Sequence, residues 1–142
     1  MEKLEDIILM NSSLLSKQDA KNYNPLVFAY VGDAVFSLII RTYYAVNSFS
    51  KAGVLNSKVN AVVRASAQSK MFEHIEDSLT EEELRVAKSA RNVHTNNVAK
   101  NSSLEEYKKA TSFEALIGYL YLIGDKKRLN EIVEHSLEII ID

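Results

Sequence analysis

The chain has 142 residues, 46% apolar and 25% charged, with a net charge of -2 and no cysteine. Those proportions suit one globular domain with a single core. They exclude a disulfide framework, a thiolate metal site and a cysteine nucleophile, and they agree with a reducing compartment, taken here as the cytoplasm. The acidic N-terminus "MEKLEDIILMNSSLL" carries neither a basic leader nor a small-residue cleavage site, so no secretory signal is expected. Asn24-Pro25 then marks a helix start, with asparagine as N-cap and proline at the first helical position. The run that follows, to Val46, is apolar on nearly all sides and is expected to be the central, buried helix. Asp33 and Arg41 break it into pieces short of the ~20 residues a membrane span needs, so no membrane is expected.

A second helix is expected over about Val54 to Ile75, with Leu55, Val59, Val62 and Val63 inward and Ser57, Asn60, Arg64 and Gln68 on another face. Thr80 caps "EEELRVAKSAR", and Glu83 at the third helical position completes a capping box. From Asn92 to Ser103 the chain is rich in Asn, Ser and Thr without apolar periodicity. That is long for a connection in a small bundle, and long loops in compact domains are often functional. Helix returns over Leu104 to Gly124, with room for a break near Thr111, and Gly124-Asp125 supplies a glycine stop. "KKRLNEIVEHSLEIIID" forms a last amphipathic helix. No segment alternates as a strand would, so the fold is all-α, with five to seven helices in one domain over residues 1–142.

The net charge conceals a segregation. No acid occurs between Ala34 and Phe72, where Arg41, Lys51, Lys58, Arg64 and Lys70 are basic, nor between Leu84 and Leu104, where Arg85, Lys88, Arg91 and Lys100 are. A basic face on an acidic body meets the electrostatic requirement for a phosphate backbone, and solvated helix faces would give the same pattern. Two acids stand out for their surroundings. Asp33 follows Gly32 in the middle of the apolar run, where an unpaired buried carboxylate would be costly and where glycine lets another backbone or a ligand approach. Its burial can be compensated by another helix, by a distant cation or by a metal ion. Glu114, in "ATSFEALIGYLYL", sits one turn before Gly118, and Thr111 to Glu114 also has capping-box spacing. The two segments look built to lie against each other. His74, His94 and His135 are scattered without a paired metal motif; His74 and His135 read as surface or rim residues, and His94 lies in the polar loop, within reach of a phosphate.

With those residues named, the chain resembles the ribonuclease III family, whose signature helix carries an aromatic, an aliphatic and then Gly-Asp, here "AYVGDAVF", and whose second landmark is here "FEALIGYLYL". Within the family it is most similar to the short bacterial branch, Mini-ribonuclease III, in the tyrosine of "AYVGDAVF", in "ARN" (Ala90 to Asn92) and in "TSFEALIGYL". The chain ends some eighteen residues past Gly124, so a catalytic domain alone is expected, with no appended double-stranded-RNA-binding domain. Longer family members carry further acids at the positions of Leu26, Ala29 and Thr111, so Asp33 and Glu114 remain as the catalytic and metal-holding pair. The resemblance implies a magnesium (Mg2+) dependent endonuclease that acts on double-stranded RNA as a homodimer and leaves 5′-phosphate and 3′-hydroxyl ends. For the short branch it implies the large-subunit (23S) ribosomal RNA precursor as substrate. A-form RNA is read by shape and phosphates, so the expected contacts are Arg85, Lys88, Arg91, Asn92, His94 and Lys100, followed by Lys58 and Arg64. The rival reading is a non-catalytic helical adaptor for RNA or protein with the same fold.

Overall fold

The computed structural model describes residues 13–92 and 103–140, which form seven α-helices and one 3-10 turn and contain no strand. Helix α1 covers Lys17–Ala20, α2 Pro25–Asn47, α3 Ala52–Val63, α4 Ala65–Ile75, α5 Glu81–Arg91, α6 Leu104–Leu122 and α7 Lys126–Leu137, with the 3-10 turn Glu76–Ser78 between α4 and α5. The local start and stop signals act as expected. Asn24 Oδ1 accepts from Leu26 N at 2.9 Å ahead of Pro25. Thr80 and Glu83 exchange both bonds of a capping box, at 2.9 and 3.1 Å. Gly124 ends α6 at a φ of 79°, a conformation that costs glycine little, and Asp125 then caps α7.

Helix α6, and not α2, is the central helix. From Ala110 to Leu120 every residue except Glu114 is buried, because α6 is flanked by α2, α4 and α5. Helix α2 buries Phe28, Ala29, Gly32, Phe36 and Ile40 on one side, while its other side leaves Val27, Leu38, Tyr30 (82%) and Val46 (72%) open to solvent. By length and composition α2 is also apolar enough to cross a membrane; Asp33 and Arg41 do not break it as expected.

The expected single helix over 54–75 is two. Arg64 is extended (φ -69°, ψ 156°), ending α3 and starting α4, so that α3 lies on α2 while α4 lies on α6. Of the four residues expected inward on the first part, Val59 and Val62 are buried; Leu55 and Val63 are half-buried. The change of direction brings Gln68, expected on a polar face, into the interior at 2% exposure.

Between α2 and α6 the backbones touch. A Cβ on Gly32 would lie 1.7 Å from the Glu114 carbonyl oxygen, and one on Gly118 would lie 1.9 Å from that of Phe28. Edge-to-face aromatic pairs bracket this contact, Phe28 with Tyr119 at 5.7 Å and Phe36 with Phe113 at 5.0 Å between ring centroids. Elsewhere Arg128 of α7 grips the buried Glu83 of α5 with two bonds of 2.8 Å. Burial raises the Glu83 carboxyl, but the bonds from Arg128 and the Thr80 backbone hold it below its ordinary value.

Candidate active site

The glycine contact decides where the two acids go. Gly32 places the backbone of α2 against that of α6 at Glu114, and the next residue, Asp33, projects from α2 beside the Glu114 side chain. The two carboxyl groups come within hydrogen-bonding reach of each other. The burial expected for Asp33 is not found. Asp33 is exposed, whereas Glu114 is half-buried.

Burial, first, and then the hydrogen bond and the charge of Asp33 push the Glu114 carboxyl up to about 9. At neutral pH it therefore keeps a proton in the contact between the two. Gln68 opposes this rise. Its Nε2 is buried with no hydrogen-bond partner at good geometry among the described residues, yet it lies close enough to favour the charged form of Glu114. A donor left unpaired beside a carboxyl that resists ionisation suits a site completed by a cation: an ion held there would favour the carboxylate form of Glu114, to which the Gln68 amide is placed to donate.

The alternative role for Glu114, as a helix-start device, is ruled out. Helix α6 runs unbroken through Thr111, whose hydroxyl donates to Tyr107 O at 2.9 Å. The capping box that starts the helix lies upstream, between Ser103 and Glu106, at the end of the polar loop. Neither Asp33 nor Glu114 pairs with a described lysine, arginine or histidine. Both are thus free to ligate, and two carboxylates make an all-oxygen donor set of the kind that hard divalent cations take.

The basic candidates fall into two groups. Lys58 and Arg64 flank the α3–α4 junction, Lys58 donating to Ser48 Oγ at 3.2 Å and Arg64 to the backbone of Asn60 at 3.4 Å. Both remain exposed, and Arg64 lies one turn before Gln68. Arg85, Lys88, Arg91 and Asn92 lie along α5 and its end; Arg85 lies 3.8 Å from Glu82 and shares a surface depression of mixed charge with Lys17, Lys21, Glu81 and Glu82. His94 and Lys100 lie outside the described residues. Sequence reasoning missed Gln68, because the bend at Arg64 is not written in the apolar pattern. His74 and His135 are not scattered: their rings lie 4.7 Å apart.

The ribonuclease III domain family matches residues 26–125, a span that contains both acids, both helix-contact glycines and Gln68. A Mini-ribonuclease 3 of Clostridium tetani is 46% identical over 120 residues, covering 84% of this chain and 80% of that protein. A Mini-ribonuclease 3 of a Thermoanaerobacter species is 39% identical over 99% of both chains. The crystal structure of a Fusobacterium nucleatum protein superposes with a TM-score of 0.76 at 33% identity, covering 84% of this chain and 96% of that one.

Proposed function

The chain belongs to the ribonuclease III family, in its Mini-ribonuclease 3 branch, and is a ribonuclease; from that premise we propose that it is a magnesium-dependent endonuclease of double-stranded RNA whose reaction centres on Asp33 and Glu114. The observation that carries this reading is the meeting of two carboxyl groups from different helices with no lysine, arginine or histidine paired to either among the described residues. Mg2+ keeps most of its waters and asks for only one or two carboxylates, so the pair is sufficient to hold it. Bound there, it would supply an activated water and neutralise charge on the scissile phosphate, leaving 5′-phosphate and 3′-hydroxyl ends. Asp33, being exposed, is the group an approaching duplex meets first; Glu114 fixes the second ligand position from within, and Gln68 steadies it once it is ionised. A non-catalytic adaptor would have no use for an unpaired acid held half-buried against another.

Two other parts of the reading rest on surfaces. The exposed apolar side of α2, with Tyr30, Leu38 and Val46, supports a homodimer that sets two such sites across one duplex. Arg85, Lys88, Arg91 and Asn92 on one element and Lys58 and Arg64 on another would meet RNA phosphates, in the cytoplasm, on the precursor of 23S ribosomal RNA near its paired ends.

Asp33→Asn is the direct test. Its folding and RNA binding should match wild type while cleavage of long duplex RNA with Mg2+ falls at least about 10²-fold, the scale of losing one charged group from a phosphoryl or acyl transfer site. Wild-type turnover, or wild-type cleavage in EDTA, would end the assignment. Mapping the cuts on several duplexes, the ribosomal precursor stem among them, tests the substrate. Replacing Arg85, Lys88 and Arg91 together by glutamine should weaken duplex binding and flatten the slope of log K against log salt by up to about three phosphate contacts, roughly 2 to 3 in slope. A slope equal to wild type would move the RNA face elsewhere.

A further inference from the structure

Away from the carboxylate pair, the C-terminal ends of α4 and α7 bring two histidines and a glutamate together. His74 Nε2 lies 3.1 Å from Glu138 Oε1, and His135 Nε2 lies 3.4 Å from the same oxygen. One ligand atom from each of the three residues fits within a span of 4.8 Å. We propose that His74, His135 and Glu138 form a binding site for a borderline transition-metal ion of the zinc class, separate from the site at Asp33 and Glu114.

The spacing is that of a ligand set. Tetrahedral zinc with bonds of about 2.0–2.2 Å holds its ligand atoms roughly 3.3–3.5 Å apart, so the two nitrogen–oxygen separations are already near the edge lengths of such a site. The hydrogen bonding behind the ligands agrees. The Ser78 hydroxyl donates to Ile75 O at 2.7 Å, which turns a lone pair of its oxygen toward His135 Nδ1, 3.4 Å away. Ser78 Oγ is thus placed to accept from His135 Nδ1–H, the tautomer that leaves Nε2 open to an ion. A histidine held through its far nitrogen by a neighbouring acceptor is the usual arrangement behind a metal ligand.

Three potential ligand atoms then converge, Nε2 of each imidazole and one carboxylate oxygen, held in the metal-free chain by the hydrogen bond between His74 Nε2 and Glu138. One divalent ion, taking the place of the Nε2 proton, would satisfy all three groups at once. Two nitrogens and one oxygen suit Zn2+, Co2+ or Ni2+, in contrast to the all-oxygen pair that suits Mg2+. The side chains are partly exposed, at 33%, 36% and 61%, which gives the ion a way in and leaves a fourth position for water. Six residues separate His74 from Gln68 along α4, about 9 Å of helix rise, so the two sites are distinct while sharing one element.

The test uses the full chain, freed of metal with EDTA and desalted. Titration with Zn2+ followed by calorimetry, and with Co2+ followed by visible absorption, should show one ion per chain bound with a tetrahedral cobalt spectrum, and Zn2+ should raise the melting temperature. His74→Ala and His135→Ala should each weaken Zn2+ binding at least about 10-fold and remove the cobalt band. Glu138→Gln, on a side chain that is 61% exposed, should weaken binding likewise and guards against a histidine variant that fails to fold. The double variant Asp33→Asn with Glu114→Gln should keep the ion, which separates this site from the nuclease assignment. No zinc-class binding in the wild-type chain, binding undiminished in Glu138→Gln, or loss of the ion only in the Asp33/Glu114 variant would each overturn the proposal.

Discussion

Gly32→Ala should be among the most damaging single substitutions in the protein, although alanine is the better helix former by about 1 kcal/mol. Its new methyl would lie 1.7 Å from the Glu114 carbonyl oxygen, 2.7 Å from the carbonyl carbon and 2.8 Å from Gly118 N. All three atoms are backbone, so no side chain can swing aside. A carbon normally approaches a carbonyl oxygen no closer than about 3.3 Å, so α2 and α6 must part by well over an ångström. Parting them loosens the Phe28–Tyr119 and Phe36–Phe113 contacts on either side of the glycines. Overpacking of a rigid seam costs typically 1–3 kcal/mol, and here the lost aromatic packing adds to it, so a loss of about 3 kcal/mol or more is expected from a total of roughly 5–15. Urea denaturation is the measurement: the midpoint should fall steeply, and Gly118→Ala, whose methyl would lie 1.9 Å from Phe28 O, should do the same. A variant that refolds under mild conditions should still cleave poorly, because the same separation draws Asp33 away from Glu114. A Gly32→Ala midpoint equal to wild type would mean that the helices do not cross there.

That seam was partly legible in the sequence. A glycine beside one acid and a glycine one turn past the other pointed to two helices in close approach, and the residues that start and stop helices, Asn24-Pro25, Thr80 with Glu83, and Gly124, act over three or four neighbours and so can be read without knowing the fold. What could not be read depends on contacts across the chain. A helix apolar all round, such as α2, does not say which of its faces a neighbour covers, and Asp33 was therefore expected inside when it stands outside. Thr111 with Glu114 matched the spacing of a capping box, but the same spacing at Ser103 and Glu106 had the advantage of lying next to the polar loop, where the helix begins. Gln68 shared a helical face with Ser57 and Asn60 only on the assumption of a straight helix, and the extended Arg64 removes that assumption. His74 and His135 meet because α4 and α7 pack side by side, a juxtaposition no local pattern records.

Glu114→Gln should separate catalysis from stability, moving them in opposite directions. The Glu114 carboxyl is raised to about 9 in the fold, chiefly by burial and then by Asp33, against an unfolded value near 4.5. For an acid raised in this way the native state binds the extra proton, so its contribution to stability is complete below about pH 4.5 and is lost as pH climbs toward 9. Wild-type protein in EDTA should accordingly lose stability over that window, by on the order of a few kcal/mol, while Glu114→Gln, which keeps an uncharged amide of the same shape, should show a flatter profile and be the more stable of the two at pH 8. Mg2+ should reverse the order. A divalent ion binds the carboxylate form and displaces the proton, so its stabilising effect on wild type should grow with pH and be largely absent from the glutamine variant. Cleavage should fall by at least about 10²-fold in that variant even where it is the better folded protein. Melting curves at several pH values, with Mg2+ and with EDTA, read both effects. If wild type and Glu114→Gln share one pH profile in EDTA, the two carboxyls do not press against each other; if the variant is also stabilised by Mg2+ as strongly as wild type, the ion binds without Glu114.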